Sequence, residues 1–136
     1  MHDMIDNLTE IARKAGEAIL EVYHSEDFGV EQKSDNSPLT QADLAAHKII
    51  SESLAVIYPD LPCFSEESEV LPFEQRQAWQ RYFLVDPLDG TKEFINRNGE
   101  FTVNIALIEN GRSLLGIVYV PVIDRMYAGY SPTELG

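Results

Sequence analysis

In Tyr82-Phe83-Leu84-Val85-Asp86-Pro87-Leu88-Asp89-Gly90-Thr91, an apolar run gives way abruptly to two carboxylates, a proline and a glycine. Tyr82 to Val85, rich in aromatic and branched side chains, predicts a short buried strand. Pro87 fixes its own φ and pushes Asp86 into an extended conformation, so the strand is expected to end at Asp86. Gly90 supplies the permissive backbone of a tight turn. Two carboxylates at the mouth of a buried strand are costly to desolvate unless something positive meets them. The neighbouring donors are all hard oxygens: Asp86, Asp89, the Leu88 carbonyl and the Thr91 hydroxyl. That is the ligand chemistry of a divalent cation, with Mg²⁺ on carboxylates the best match. Asp-Pro and Asp-Gly are also ordinary turn chemistry, so the hexamer alone leaves a plain surface turn open.

A second acidic cluster shifts the balance toward metal. Phe64-Ser65-Glu66-Glu67-Ser68 also follows a short apolar stretch and can bring Glu66 to the same strand-end region. An EF-hand does not fit, because the alternating Asp/Asn ligands and the Glu at loop position twelve are missing. Zinc fits less well. Cys63 is the single cysteine, and His2, His24 and His47 are scattered without ligand spacing.

Composition narrows the partners. Ten Lys and Arg against 23 Asp and Glu leave a formal net charge of −13. With no basic stripe to neutralise phosphates, a nucleic-acid polymer or an anionic membrane surface is not the expected ligand. An acidic protein that handles a phosphorylated small molecule needs metal ions between the two negative partners. At 136 residues the chain is expected to form one domain with its own core. One cysteine makes no internal disulfide, which suits a reducing cytoplasm. The first residues lack the basic and apolar regions of a signal peptide. The longest apolar stretch, about Leu114 to Ile123, is too short to span a bilayer and is broken by Gly116 and Pro121.

Two helices are expected first. Ile5, Leu8, Ile11, Ala12, Ala15, Ala18, Ile19 and Val22 recur at three- and four-residue spacing, predicting a helix from about Met4 to Tyr23. His24 to Val30 reads as a polar connection, and the Asp, Asn, Ser and Pro of residues 35–38 as a turn. Thr40 is placed as the N-cap of a second helix, with Asp43 at the capping-box position. That helix runs through Ala46, Ile50, Leu54 and Ile57 and stops before Pro59. Phe73 to Gln80 suggests a helical turn. Phe101–Ile108 and Leu114–Val120 flank Asn110-Gly111, a strong hairpin signal, and Met126–Tyr130 adds a further strand. The expected fold class is α+β, two N-terminal helices layered on an antiparallel sheet.

Three blocks, Ser37-Pro38-Leu39-Thr40-Gln41-Ala42-Asp43, Ser65-Glu66-Glu67-Ser68 and Asp86-Pro87-Leu88-Asp89-Gly90-Thr91, resemble the inositol-monophosphatase-like superfamily of metal-dependent phosphatases. The resemblance covers essentially the whole chain. Lys33-Ser34-Asp35-Asn36-Ser37-Pro38, Gly90-Thr91-Lys92-Glu93-Phe94-Ile95 and the continuation Asn98 to Ala106 look most like its bacterial 3′(2′),5′-bisphosphate nucleotidases. This resemblance implies the N-terminal half of an αβαβα sandwich and two or three Mg²⁺ per site. It implies Glu66, Asp86 and the Leu88 carbonyl on one ion, and Asp86 and Asp89 on a second. Asp43 and Thr91 would position and deprotonate the attacking water, and the backbone at Asp89, Gly90 and Thr91 would receive the substrate phosphate. Glu67 would stand just behind. The implied substrate is adenosine 3′,5′-bisphosphate, cut to AMP and phosphate in sulfate assimilation. Association with the cytoplasmic face of the inner membrane is a further implication.

Members of the superfamily are roughly twice this length, and their second half carries another metal-ligand Asp and much of the nucleobase pocket. Residues 1–136 are therefore expected to be the N-terminal metal-binding domain, poorly active alone. Other readings stay open. One is an inositol-monophosphatase-type sugar phosphatase. Another is a metal-binding fragment without catalysis. A third is a haloacid-dehalogenase-type enzyme with a nucleophilic Asp, although that block separates its two aspartates by one residue rather than two.

Overall fold

The computed structural model describes residues 2–24, 38–65, 80–96 and 98–130. Helices α1 (His2–Tyr23) and α2 (Pro38–Ile57) precede β1 (Cys63–Ser65), β2 (Arg81–Asp89), the short α3 (Thr91–Ile95), β3 (Thr102–Glu109) and β4 (Arg112–Val120). A 3₁₀ turn (Pro121–Ile123) then leads into β5 (Arg125–Tyr130). The strands form one five-stranded sheet in the order β1-β2-β3-β4-β5. The sheet is antiparallel except at one edge, where β1 runs parallel to β2 with Phe64 opposite Leu84. A parallel pair needs a long connection rather than a hairpin.

The apolar stripe anticipated for α1 is the stripe that is buried: Leu8, Ile11, Ala12, Ala15 and Ile19 all lie in the core. On α2 the buried residues are Ala42, Ala46, Ile50 and Leu54, again at helical spacing. The two helices pack side by side on one face of the sheet, α1 over β3 and β4, α2 over β1 and β2. From the sheet, Phe83, Val85, Val103, Ile105, Leu107 and Ile117 point into this layer, each alternating with an outward residue as the pleat requires. Burying one such side chain contributes about 1.5–3 kcal/mol, so the shared layer dominates the fold's stability. Asn110 and Gly111 both take positive φ, 51° and 82°, the geometry of a type I′ hairpin turn.

Two boundaries differ from the expectation. Helix α2 begins at Pro38, not after a cap at Thr40. Proline suits a first helical turn, where its missing N–H is no loss. Asp43 is thus the sixth residue of the helix, past the turn where a capping box acts. Strand β2 also does not stop at Asp86 but continues through Pro87 to Asp89. The reason is a change of register, described below. The connection after His24, the turn before Pro38, Glu66, Glu67 and the Phe73–Trp79 segment lie outside the described residues. Among the described residues no helix is long and apolar enough to cross a membrane.

Candidate metal centre

The end of β2 builds the site. Asp86 pairs with Asn104 of β3, and Asp89 pairs with Thr102. Three steps along β2 therefore correspond to two along β3, so one extra residue bulges out of β2 between the aspartates. In an unbroken pleat, residues three apart point to opposite faces. The bulge cancels that alternation. Pro87 and Leu88 are both buried, while Asp86 and Asp89 emerge on the sheet face opposite α1 and α2. A proline is tolerated here because a bulge leaves a ladder N–H unused anyway.

Gly90 follows with φ 97°, in the left-handed region. A Cβ there would lie 3.2 Å from the Phe101 Cα and 3.2 Å from a Glu93 carboxylate oxygen. The position thus demands glycine for both conformation and space. The turn throws the chain into α3, whose first residue, Thr91, is exposed. Helix α2, carrying the half-buried Asp43, touches both β2 and α3. The elements that bear Asp43, Asp86, Asp89 and Thr91 thus meet at one end of the sheet, and the Leu88 carbonyl lies within the bulge between the aspartates. Glu66 follows Ser65, the last residue of β1, and β1 is the parallel neighbour of β2.

Asn104 belongs to this site, and the sequence reading assigned it no role. Its amide Nδ2 donates to Oδ2 of Asp89 at 3.1 Å. Its Oδ1 is buried and has no hydrogen-bond partner among the described residues. The orientation of the amide follows from its neighbour, since a flipped amide would set oxygen against carboxylate. Asp86 and Asn104 line a groove of about 370 Å³ whose other walls are apolar, including Leu84, Ala106 and Val118. The signal that could have found Asn104 is a polar residue at an outward position of an otherwise apolar strand.

The donors present are carboxylate and amide oxygens, which fit a hard divalent cation. Among the described residues no three of His, Cys, Asp and Glu converge on a common point. Asp86 and Asp89 are the part of the expected ligand set that lies within the described residues on this face.

Residues 1–133 match the model of the inositol monophosphatase family. The 3′(2′),5′-bisphosphate nucleotidase CysQ of Escherichia coli strain K12 is 56% identical over 126 residues, covering 92% of this chain and 51% of that protein. The protein of the same name from Buchnera aphidicola is 48% identical, covering 93% of this chain and 48% of that one. The crystal structure of CysQ from Bacteroides thetaiotaomicron superposes with a TM-score of 0.84 at 44% identity, covering 94% of this chain and 46% of that one. The chain thus spans about half the length of the curated relatives it matches. With residues 1–133 matching the family model and these relatives 48% and 56% identical over more than nine-tenths of its length, this chain belongs to the inositol monophosphatase family.

Proposed function

We propose that this chain is the metal-binding α+β domain of a Mg²⁺-dependent phosphatase that removes the 3′-phosphate of adenosine 3′,5′-bisphosphate. The observation that carries this reading is the bulge, which sets Asp86 and Asp89 on one face beside Gly90 and Thr91. The relatives from Escherichia coli and Buchnera aphidicola are named 3′(2′),5′-bisphosphate nucleotidases, which favours the bisphosphate nucleotide over an inositol phosphate.

In this reading Asp86, Asp89, Glu66 and the Leu88 carbonyl hold the ions. When bound, the ions neutralise phosphate charge and stabilise attacking and leaving oxygens. Asp43 and Thr91 orient the water and accept its proton. Gly90, lacking a Cβ, lets the phosphate approach the backbone of Asp89 to Thr91. Residues 1–136 form one domain, and a reducing cytoplasm suits its single, half-buried Cys63.

The test combines a Mg²⁺ and Mn²⁺ titration with a phosphate-release assay, using the Escherichia coli relative as reference. Saturable metal binding is expected, together with slow turnover, because a half-built substrate pocket positions poorly. A kcat/KM within tenfold of the reference would show that this chain needs nothing further. Phosphate trapped covalently on an aspartate in an acid quench would overturn attack by water.

A further inference from the structure

We infer that Asn104 is a positioning residue for the metal centre, holding the Asp89 carboxylate in its ligating orientation by the Nδ2–Oδ2 hydrogen bond. The inference rests on the reading of Asp89 as a metal ligand.

Asp89 is exposed and stands at the end of a strand, so its carboxylate has little packing to fix its rotamer. The contact to Asn104, 3.1 Å, occupies one of its oxygens. The other oxygen is left to a cation. Asn104 is also the direct cross-strand partner of Asp86, so one side chain spans both acidic positions. An aspartate at 104 would add a third negative charge to the pair. An amide donates without adding charge.

Packing alone does not account for this residue. The surrounding groove wall is Leu84, Ala106 and Val118, against which an apolar side chain would pack with no polar group to satisfy. Instead Asn104 keeps its Oδ1 buried and without a partner among the described residues. A polar group kept among apolar walls, beside two carboxylates and bonded to one of them, is one that serves them. Residues that orient metal ligands through a hydrogen bond characteristically change affinity by about 10–100-fold when lost.

The experiment measures Mn²⁺ affinity by electron paramagnetic resonance for the parent chain, Asn104→Ala, Asn104→Thr, Asp89→Asn and the double variant Asn104→Ala with Asp89→Asn. Thermal unfolding in EDTA is recorded for each. Asn104→Thr keeps a strand-favouring side chain should Asn104→Ala fold poorly. Both single variants at 104 are expected to weaken Mn²⁺ binding about 10–100-fold with the EDTA transition retained. The double variant should bind no more weakly than Asp89→Asn, because the amide acts through that carboxylate. Affinity within twofold of the parent in both variants overturns the inference while leaving Asp89 a ligand. Loss of the cooperative transition in both variants makes Asn104 a folding residue and also overturns it. An unchanged affinity in Asp89→Asn removes the ligand reading, and the inference with it.

Discussion

Gly16 on α1 faces the ring of Tyr119 on β4 so closely that a Cβ at Gly16 would stand 2.5 Å from Tyr119 Cε2 and 2.9 Å from Cδ2. The helix reaches the sheet here because its residue has no side chain. Gly16 is buried in the middle of a 22-residue helix, where glycine costs about 1 kcal/mol relative to alanine. Gly16→Ala should nonetheless destabilise the protein, by about 1–3 kcal/mol, since overpacking outweighs the gain in helix propensity. Calorimetry should show a lower Tm. An increase would mean the ring can move aside freely.

Gly90→Ala tests the turn between the aspartates and α3. The new methyl would meet the Phe101 backbone at 3.2 Å, and φ of 97° is one that alanine rarely adopts. We expect a stability loss of about 1–3 kcal/mol and weaker metal binding in the same variant. Unchanged Mn²⁺ affinity would separate the turn from the site.

Asp86→Asn and Asp89→Asn remove charge from groups that emerge on the outer face, leaving side-chain volume unchanged. Mn²⁺ affinity is expected to fall at least about tenfold for either, with Tm in EDTA shifted by only about 2 °C. Glu66→Gln should behave in the same way and Glu67→Gln more mildly. Gross unfolding of the aspartate variants would make the bulge a folding element first.

The Tyr119 hydroxyl donates to Asp124 Oδ1 at 2.7 Å. Burial, followed by this hydrogen bond and the Asp124 charge, pushes the phenol from 10.0 up to about 12, with Arg13 opposing. A raised pKa means that the folded state favours the neutral phenol. The stabilisation is complete below pH 10 and is lost as pH rises from 10 to 12, a change on the order of 2 kcal/mol. Tyr119→Phe should cost about 1 kcal/mol at pH 8, and the gap to the parent should close above pH 10 and reverse toward pH 12. A gap independent of pH would contradict this assignment.

Much of the fold was legible because periodicity reports burial directly. The stripes of α1 and α2, and the hairpin at Asn110-Gly111, follow from spacing and turn chemistry that need no tertiary partner. The parallel pairing of β1 was not legible, since Cys63–Ser65 is three residues long and has no pattern of its own. Thr40 looked like a cap because its side chain suits one, yet Pro38 already starts the helix. The acidic residues of the site were visible as residue types. Their shared face was not, because three-residue spacing in a strand argues the opposite, and only the register of β3 shows the extra residue. Asn104 escaped for a related reason: its meaning depends on Asp89, fifteen positions away and adjacent only across strands.

A pleated strand has a reading frame of two, and the bulge between Asp86 and Asp89 is a frameshift written into it. Substitutions at Pro87 or Leu88 alter packing but keep the frame. Deleting one of them restores strict alternation: the aspartates then stand two apart and still share the outer face, but one of the two backbone units between them, with its carbonyl, is gone. What the spare residue adds is therefore backbone between the aspartates, a second carbonyl within reach of whatever they hold. A transplant of the two aspartates at this three-residue spacing onto another sheet must carry the bulge with it, or the second one turns inward.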